Sequence, residues 1–244
     1  MMRKFGLIGF PLSHSFSRNY FTNKFAAEGI RDCEYHLFPL KSINELPQLI
    51  SENPTLCGLN VTIPYKESVL PFLHSVSPAV KQIGACNCIK ITKGQLEGYN
   101  TDVVGFEESI KPFLKPEIRK ALILGTGGAA KAVAWVLKKL SIDYQYVSRK
   151  SGEGILSYND ISSKVLKEIT LIINTTPLGM QPNIFNKPSL PYGAIAPGHL
   201  CYDLIYNPEK TSFLAACEAE GAVIKNGLEM LEIQAEESWR IWND

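Results

Sequence analysis

Lys120-Ala121-Leu122-Ile123-Leu124-Gly125-Thr126-Gly127-Gly128-Ala129-Ala130 is the stretch on which the fold turns. An apolar run of strand length opens into a glycine-rich turn, and from Lys131 to Leu140 apolar residues recur at helical spacing. Strand, turn and helix follow in the order of a dinucleotide fingerprint. Gly125 permits the tight turn, Gly127 lets a pyrophosphate approach the backbone, and Ala130 is small enough for helix and strand to pack closely. The helix N-terminus is left facing the phosphates.

Downstream, the pattern predicts strands over 144–147, 171–174, 200–203 and 222–224, with a helix near 211–220. Strands alternating with helices behind a glycine turn make a doubly wound, Rossmann-like domain. The dinucleotide is selected at the end of the second strand of such a domain, here Val147-Ser148-Arg149-Lys150. No acid stands there to accept the ribose hydroxyls of NAD. Two cations do, which favours the 2′-phosphate of NADP, although without the glycine turn the same residues would read as a solvated basic loop.

Upstream, strands are expected over 4–8, 34–38 and 56–61, with helices near 18–28 and 43–50 and another after Pro64. This alternation implies a second, mostly parallel α/β sheet. Segments 88–92 and 95–99, joined by Lys93-Gly94, read as a hairpin giving that sheet an antiparallel edge, and a helix over about 101–110 follows. The last helix, about 228–242, carries Leu228, Leu231, Ala235 and Trp239 at helical spacing, so one face is buried. Gln234 lies beside that face, an unusual place for an amide unless something binds it. The expected domains are 1–101, joined by 227–244, and 102–226.

Composition narrows the partner. A chain of 244 residues with net charge +1 has no basic field for nucleic acid, so a small molecule is the favoured partner. No apolar run approaches the roughly 20 residues that span a bilayer, and Met1-Met2-Arg3-Lys4-Phe5 enters a strand too soon for a signal peptide. A cytoplasmic protein is expected, and a homodimer is compatible with this reading. The six cysteines show no Cys-x-x-Cys spacing and read as reduced core residues. The four histidines form no i, i+4 pair, and no metal site is expected.

Three polar segments fall at successive strand ends: Gly58-Leu59-Asn60-Val61-Thr62-Ile63-Pro64-Tyr65-Lys66, Gly84-Ala85-Cys86-Asn87 and Gly98-Tyr99-Asn100-Thr101-Asp102. Amides, hydroxyls, one amine and one carboxylate suit a small polyhydroxylated ligand, and the ends of α/β strands are where ligands bind. Alone, Lys66 reads as a solvated lysine and Asp102 as a helix N-cap, with Thr101 as its competitor. Brought together in a cleft, they could pass the proton of a substrate hydroxyl during hydride transfer. Ser13 and Ser15, in Gly9-Phe10-Pro11-Leu12-Ser13-His14-Ser15, precede a helix and could cap it or hold a carboxylate there.

These segments, with Asn174-Thr175-Thr176-Pro177-Leu178-Gly179-Met180, Asp203-Leu204-Ile205-Tyr206-Asn207-Pro208 and Gly227-Leu228-Glu229-Met230-Leu231-Glu232-Ile233-Gln234, together resemble the shikimate dehydrogenase family in its order from end to end. The resemblance implies NADP-dependent interconversion of 3-dehydroshikimate and shikimate, on the way to chorismate and the aromatic amino acids. It further implies Lys66 and Asp102 as the catalytic pair and Ser13 and Ser15 as the carboxylate-holding hydroxyls. Asn60, Thr62, Asn87, Tyr206 and Gln234 would be further substrate contacts. The cofactor would meet Gly125, Gly127, Gly128, Ala129 and Arg149, with Leu204 and Gly227 near the nicotinamide. The family architecture also returns the last helix from the cofactor domain to the substrate domain. Quinate or dual quinate/shikimate dehydrogenases share almost the same pocket. A dinucleotide-sensing binding protein, the non-enzyme alternative, would need the glycine turn but not Lys66 with Asp102.

Overall fold

Residues 2–12 and 16–244 are described by the computed structural model. Two units divide the chain, Met1–Val104 with Glu232–Asp244, and Gly105–Leu231. In the first, β1 (Arg3–Gly9), α1 (Phe16–Ala27), β2 (Cys33–Pro39), α2 (Leu46–Glu52), β3 (Leu56–Val61), β4 (Ser75–Val76), α3 (Pro78–Ile83), β5 (Cys88–Thr92) and β6 (Gln95–Tyr99) follow one another. Their sheet runs β2-β1-β3-β5-β6-β4. Strand β5 runs against both neighbours, while β1 pairs in parallel with β2 and β3. Strands β1 and β3 bury nearly every residue because helices and loops cover both faces of the sheet.

Two sequence expectations need correction in this unit. Residues after Pro64 form turns and one short 3-10 segment, Leu70–Phe72, instead of an α-helix. Pro71 explains it: lacking an N–H and clashing with the preceding turn, it stops any helix begun at Pro64 within two turns. The β5–β6 hairpin forms in the expected register but is not the sheet edge, because β4 pairs outside β6. A two-residue strand has too few residues to show alternation.

Helix α4 (Asp102–Ile110) leads into the second unit, where β7 (Lys120–Leu124), α5 (Gly128–Lys139), β8 (Asp143–Ser148), β9 (Ile155–Ser157), α6 (Ser163–Glu168), β10 (Leu171–Asn174), β11 (Leu200–Asp203), α7 (Ser212–Ala219) and β12 (Val223–Lys225) follow. All six strands are parallel, in the order β12-β11-β10-β7-β8-β9. Counted from β7 this is the 3-2-1-4-5-6 order of the dinucleotide-binding fold, with its reversal between β7 and β10. Leu122, Leu124, Ile172, Cys201 and Phe213 are among the buried residues of its core.

The chain ends in α8 (Leu228–Asn243). From Glu232 onward it belongs to the first unit, where Ala235, Ile241 and Trp242 join Phe5, Phe21 and Tyr35 in one apolar cluster. Trp242 stacks on Phe5 with ring centroids 4.9 Å apart, and its Nε1 donates to the Ile89 carbonyl at 3.0 Å. The return of the last helix, implied by the family resemblance, is thus made by aromatic packing with the indole N–H satisfied. Among the described residues no helix is long and apolar enough to cross a membrane. All six cysteines are free thiols.

Candidate active site

Strand pairing brings the polar segments of the first unit together. Asn60 on β3 lies opposite Cys88 on β5, and Cys88 lies opposite Tyr99 on β6. Because β5 is antiparallel, its N-terminal neighbour Asn87 emerges at the same sheet end as Thr62 and the Asn100-Thr101-Asp102 segment. Backbone bonds fasten them: Val61 N donates to Asn87 O at 2.8 Å, and Asn87 N to Tyr99 O at 3.1 Å. The turn bearing Lys66 is held by Cys86 N donating to the Lys66 carbonyl at 2.7 Å.

Lys66 and Asp102 meet. Lys66 Nζ donates to Asp102 Oδ2 at 2.6 Å, with side-chain exposures of 19% and 9%. The second carboxylate oxygen, Oδ1, accepts from Asn87 Nδ2 at 2.9 Å. Asp102 is therefore the first residue of α4 and the meeting point of an ammonium and an amide, not a cap. Thr101 does not cap either: its hydroxyl bonds Asn87 Nδ2 at 3.0 Å, Ser238 Oγ at 3.2 Å and Gln234 Oε1 at 3.3 Å. Beside the pair, burial pushes the Cys86 thiol up to about 12, which keeps it neutral and no nucleophile at ordinary pH.

Gln234 is buried on α8, as its position beside the apolar stripe implied. Asn60 spends its amide on the protein: Oδ1 accepts from the Tyr35 hydroxyl at 2.8 Å and Nδ2 donates to Ser238 Oγ at 2.9 Å. Thr62 follows β3, its amide donating to Ile8 O at 2.9 Å. Ser13 and Ser15 lie outside the described residues.

In the second unit the glycine turn stands at the reversal between β7 and β10. Gly125 has φ of +112°, and a Cβ there would meet Thr175 Oγ1 at 2.6 Å. A Cβ on Gly127 would meet no protein atom within 4 Å, so the turn leaves open space. Gly127 is the N-cap of α5 with no side-chain cap bond, and the helix begins at Gly128 and Ala129. Uncapped helix amides beside that space fit a pyrophosphate. Arg149 and Lys150 are exposed after β8, and burial pushes the Tyr158 hydroxyl above its ordinary value, which the nearby Arg149 charge offsets only in part. Leu204 and Gly227 approach each other so closely that a Cβ on Gly227 would sit 2.0 Å from the Leu204 carbonyl oxygen. Tyr206 is half-buried in the same unit, after β11.

Sequence reading missed two sets of residues. Tyr35, Thr101 and Ser238 complete the polar network around Asp102, and the available signal was Ser238 lying four residues after Gln234 on the buried face of α8. Asp203 is fully buried at the end of β11, accepting from Asn174 Nδ2, Ile205 N and Thr211 Oγ1 at 2.7–3.0 Å. Burial raises its carboxyl to about 6 despite those three bonds. Asn174 in turn accepts from the Thr176 amide and hydroxyl, so Asp203 braces the loop after β10.

Residues 7–89 match the family model described as the shikimate dehydrogenase substrate binding domain. A shikimate dehydrogenase (NADP(+)) of Caldicellulosiruptor bescii is 36% identical over 261 residues, covering all of this chain and 90% of its own. Shikimate dehydrogenase from Aquifex aeolicus has a similar crystal structure, with TM-score 0.88 and 31% identity over 99% of this chain and 92% of that one. The Thermus thermophilus enzyme in complex with NADP(H) and shikimate matches with TM-score 0.87 and 30% identity over 99% and 93%.

Proposed function

The chain belongs to the shikimate dehydrogenase family, and on that premise we propose that Lys66 and Asp102 move the proton as it interconverts 3-dehydroshikimate and shikimate with NADP. The observation that carries the residue assignment is the 2.6 Å bond between Lys66 Nζ and Asp102 Oδ2 at the substrate-domain sheet end.

NADPH, when bound, supplies the hydride. Gly125, Gly127, Gly128 and Ala129 would hold its pyrophosphate and Arg149 its 2′-phosphate, with Leu204 and Gly227 as the backbone offered to its nicotinamide. As the ketone is reduced, Lys66 gives its proton to the oxygen that becomes the hydroxyl. Asp102 keeps the ammonium oriented, and the partial exposure of Lys66 lets solvent restore the proton. In oxidation the proton leaves by the same route. Asn87, Thr62, Tyr206 and Gln234 orient the ring hydroxyls, while Ser13 and Ser15 bond the carboxylate. Contacts of that kind act on ground and transition states alike, so removing either serine hydroxyl raises KM with kcat little changed.

The test is nicotinamide absorbance with shikimate and with quinate, each against NADP and NAD. Turnover of shikimate with NADP at the highest kcat/KM supports the reading. Preferred turnover of quinate replaces the substrate, and dinucleotide binding without turnover of either removes the activity.

A further inference from the structure

The Asp102 carboxylate is reached by a buried chain of side chains that starts on other elements. Tyr35 on β2 donates to Asn60 on β3, and Asn60 donates to Ser238 on α8. Ser238 spends its only hydrogen on the Gln234 carbonyl one turn back, at 2.8 Å. It therefore meets Asn60 and Thr101 as an acceptor, and the single Thr101 hydroxyl hydrogen has Ser238 Oγ at 3.2 Å beside Gln234 Oε1 and Asn87 Oδ1 at 3.3 Å as its acceptors. Thr101 Oγ1 in turn accepts from Asn87 Nδ2.

The backbone decides which way Asn87 faces, and the side-chain chain then holds it there. The Thr101 backbone N–H can only donate, and it lies 2.6 Å from Asn87 Oδ1, so Nδ2 must face the other way. Its two hydrogens then have one acceptor each, Thr101 Oγ1 and Asp102 Oδ1. Without the Thr101 hydroxyl the amide keeps the Thr101 N–H on Oδ1 and Asp102 on Nδ2, but its second Nδ2 hydrogen is left buried with no acceptor, and the shift that regains one loosens the donor held to Asp102 Oδ1. Asn87, Thr101 and Ser238 are all at most 3% exposed, so water does not substitute for a lost partner.

We propose that the Thr101 and Ser238 side chains are positioning groups, which steady the Asn87 amide and through it hold the Asp102 carboxylate toward Lys66. The proposal rests on the reading of Lys66 and Asp102 as the proton-transfer pair. Neither residue touches the reacting atoms in this account. The final helix thereby serves the reaction through Ser238, as well as closing the substrate domain through Trp242.

Steady-state kinetics of Thr101→Val, Thr101→Ser and Ser238→Ala, with Lys66→Ala in parallel and folding checked by circular dichroism, test it. Misplacing a catalytic group by a fraction of an ångström costs on the order of 10- to 100-fold, so Thr101→Val is expected to lose about that in kcat with its KM for NADP unchanged. Thr101→Ser, which keeps the hydroxyl, should recover most of the loss. Ser238→Ala should lose several-fold, and combining it with Thr101→Val should add little, because both act along one chain. Wild-type kcat in Thr101→Val beside an impaired Lys66→Ala overturns the positioning role alone. Equal impairment of Thr101→Val and Thr101→Ser also overturns it. A Lys66→Ala enzyme with normal kcat overturns the proton pair and the proposal with it. Should Thr101→Val not fold, Ser238→Ala decides: unimpaired kcat there rejects the proposal.

Discussion

The two candidate sites at strand ends in this chain are made of different material. At the substrate-domain sheet, Lys66, Asn87, Thr101 and Asp102 meet through side-chain atoms, each bonded to another of the set. At the dinucleotide-domain sheet, the site is backbone: a turn that glycine lets fold, open space beside Gly127, and helix amides with no side-chain cap. Side chains there, such as Asp203 and Asn174, brace the loops from behind. The first site is damaged by taking atoms away, and the damage shows in kcat. The second is damaged by adding atoms, and the damage shows in cofactor binding.

The largest expected effect is at the first site. General acid help is worth about 10²–10⁴-fold, so Lys66→Ala should lose roughly that factor in kcat while the KM for NADP stays put. A loss confined to KM would erase the contrast between the two sites.

Next comes the exception in the second site, the buried carboxylate of Asp203. Asp203 titrates near 6 in the folded chain against an ordinary value of 3.8. Its folded pKa is raised, so the folded state holds the proton more tightly, and this favours folding at low pH. That contribution fades as pH rises from about 4 through 6, an effect on the order of 2–3 kcal/mol. Asp203→Asn should remove it. Urea unfolding of both proteins between pH 4 and 7 should show their stability difference moving in favour of the variant as pH rises; a constant difference would mean Asp203 does not titrate there.

Arg149→Ala should raise the KM for NADP about 10- to 100-fold, the worth of charge-assisted bonds to a phosphate, and leave that for NAD nearly unchanged. Equal effects on both cofactors would place Arg149 outside the 2′-phosphate site. The smallest effect sharpens the contrast most. Gly127→Ala adds a methyl where the protein has nothing within 4 Å, at φ of −77°, so Tm should hold while the KM for NADP rises roughly tenfold. A drop in Tm with unchanged KM would reverse the account of that turn.

The same contrast governs what the sequence reveals. Backbone sites are written locally: Gly125 to Ala130 follow one another, and the strands around them declare themselves by apolar runs, so the doubly wound sheet and the glycine turn at its reversal were legible. Lys66, Asn87 and Asp102 were legible as residue types at strand ends, yet nothing in their spacing says that Nζ and Oδ2 meet at 2.6 Å. Thr101 and Ser238 touch across 137 positions, and each alone looks like a helix-end or helix-face hydroxyl. Local pattern carries no trace of such a pairing. The helix expected after Pro64 rests on the favourable start that Pro64 offers and takes no account of Pro71, which forbids it.

The claim at the centre is that Lys66 and Asp102 act as one unit on the proton. A double-mutant cycle on kcat with Lys66→Ala, Asp102→Asn and both together tests it most directly. The account predicts that the double variant loses scarcely more than the worse single variant. Single losses that multiply in the double variant would show two independent contributions and contradict it.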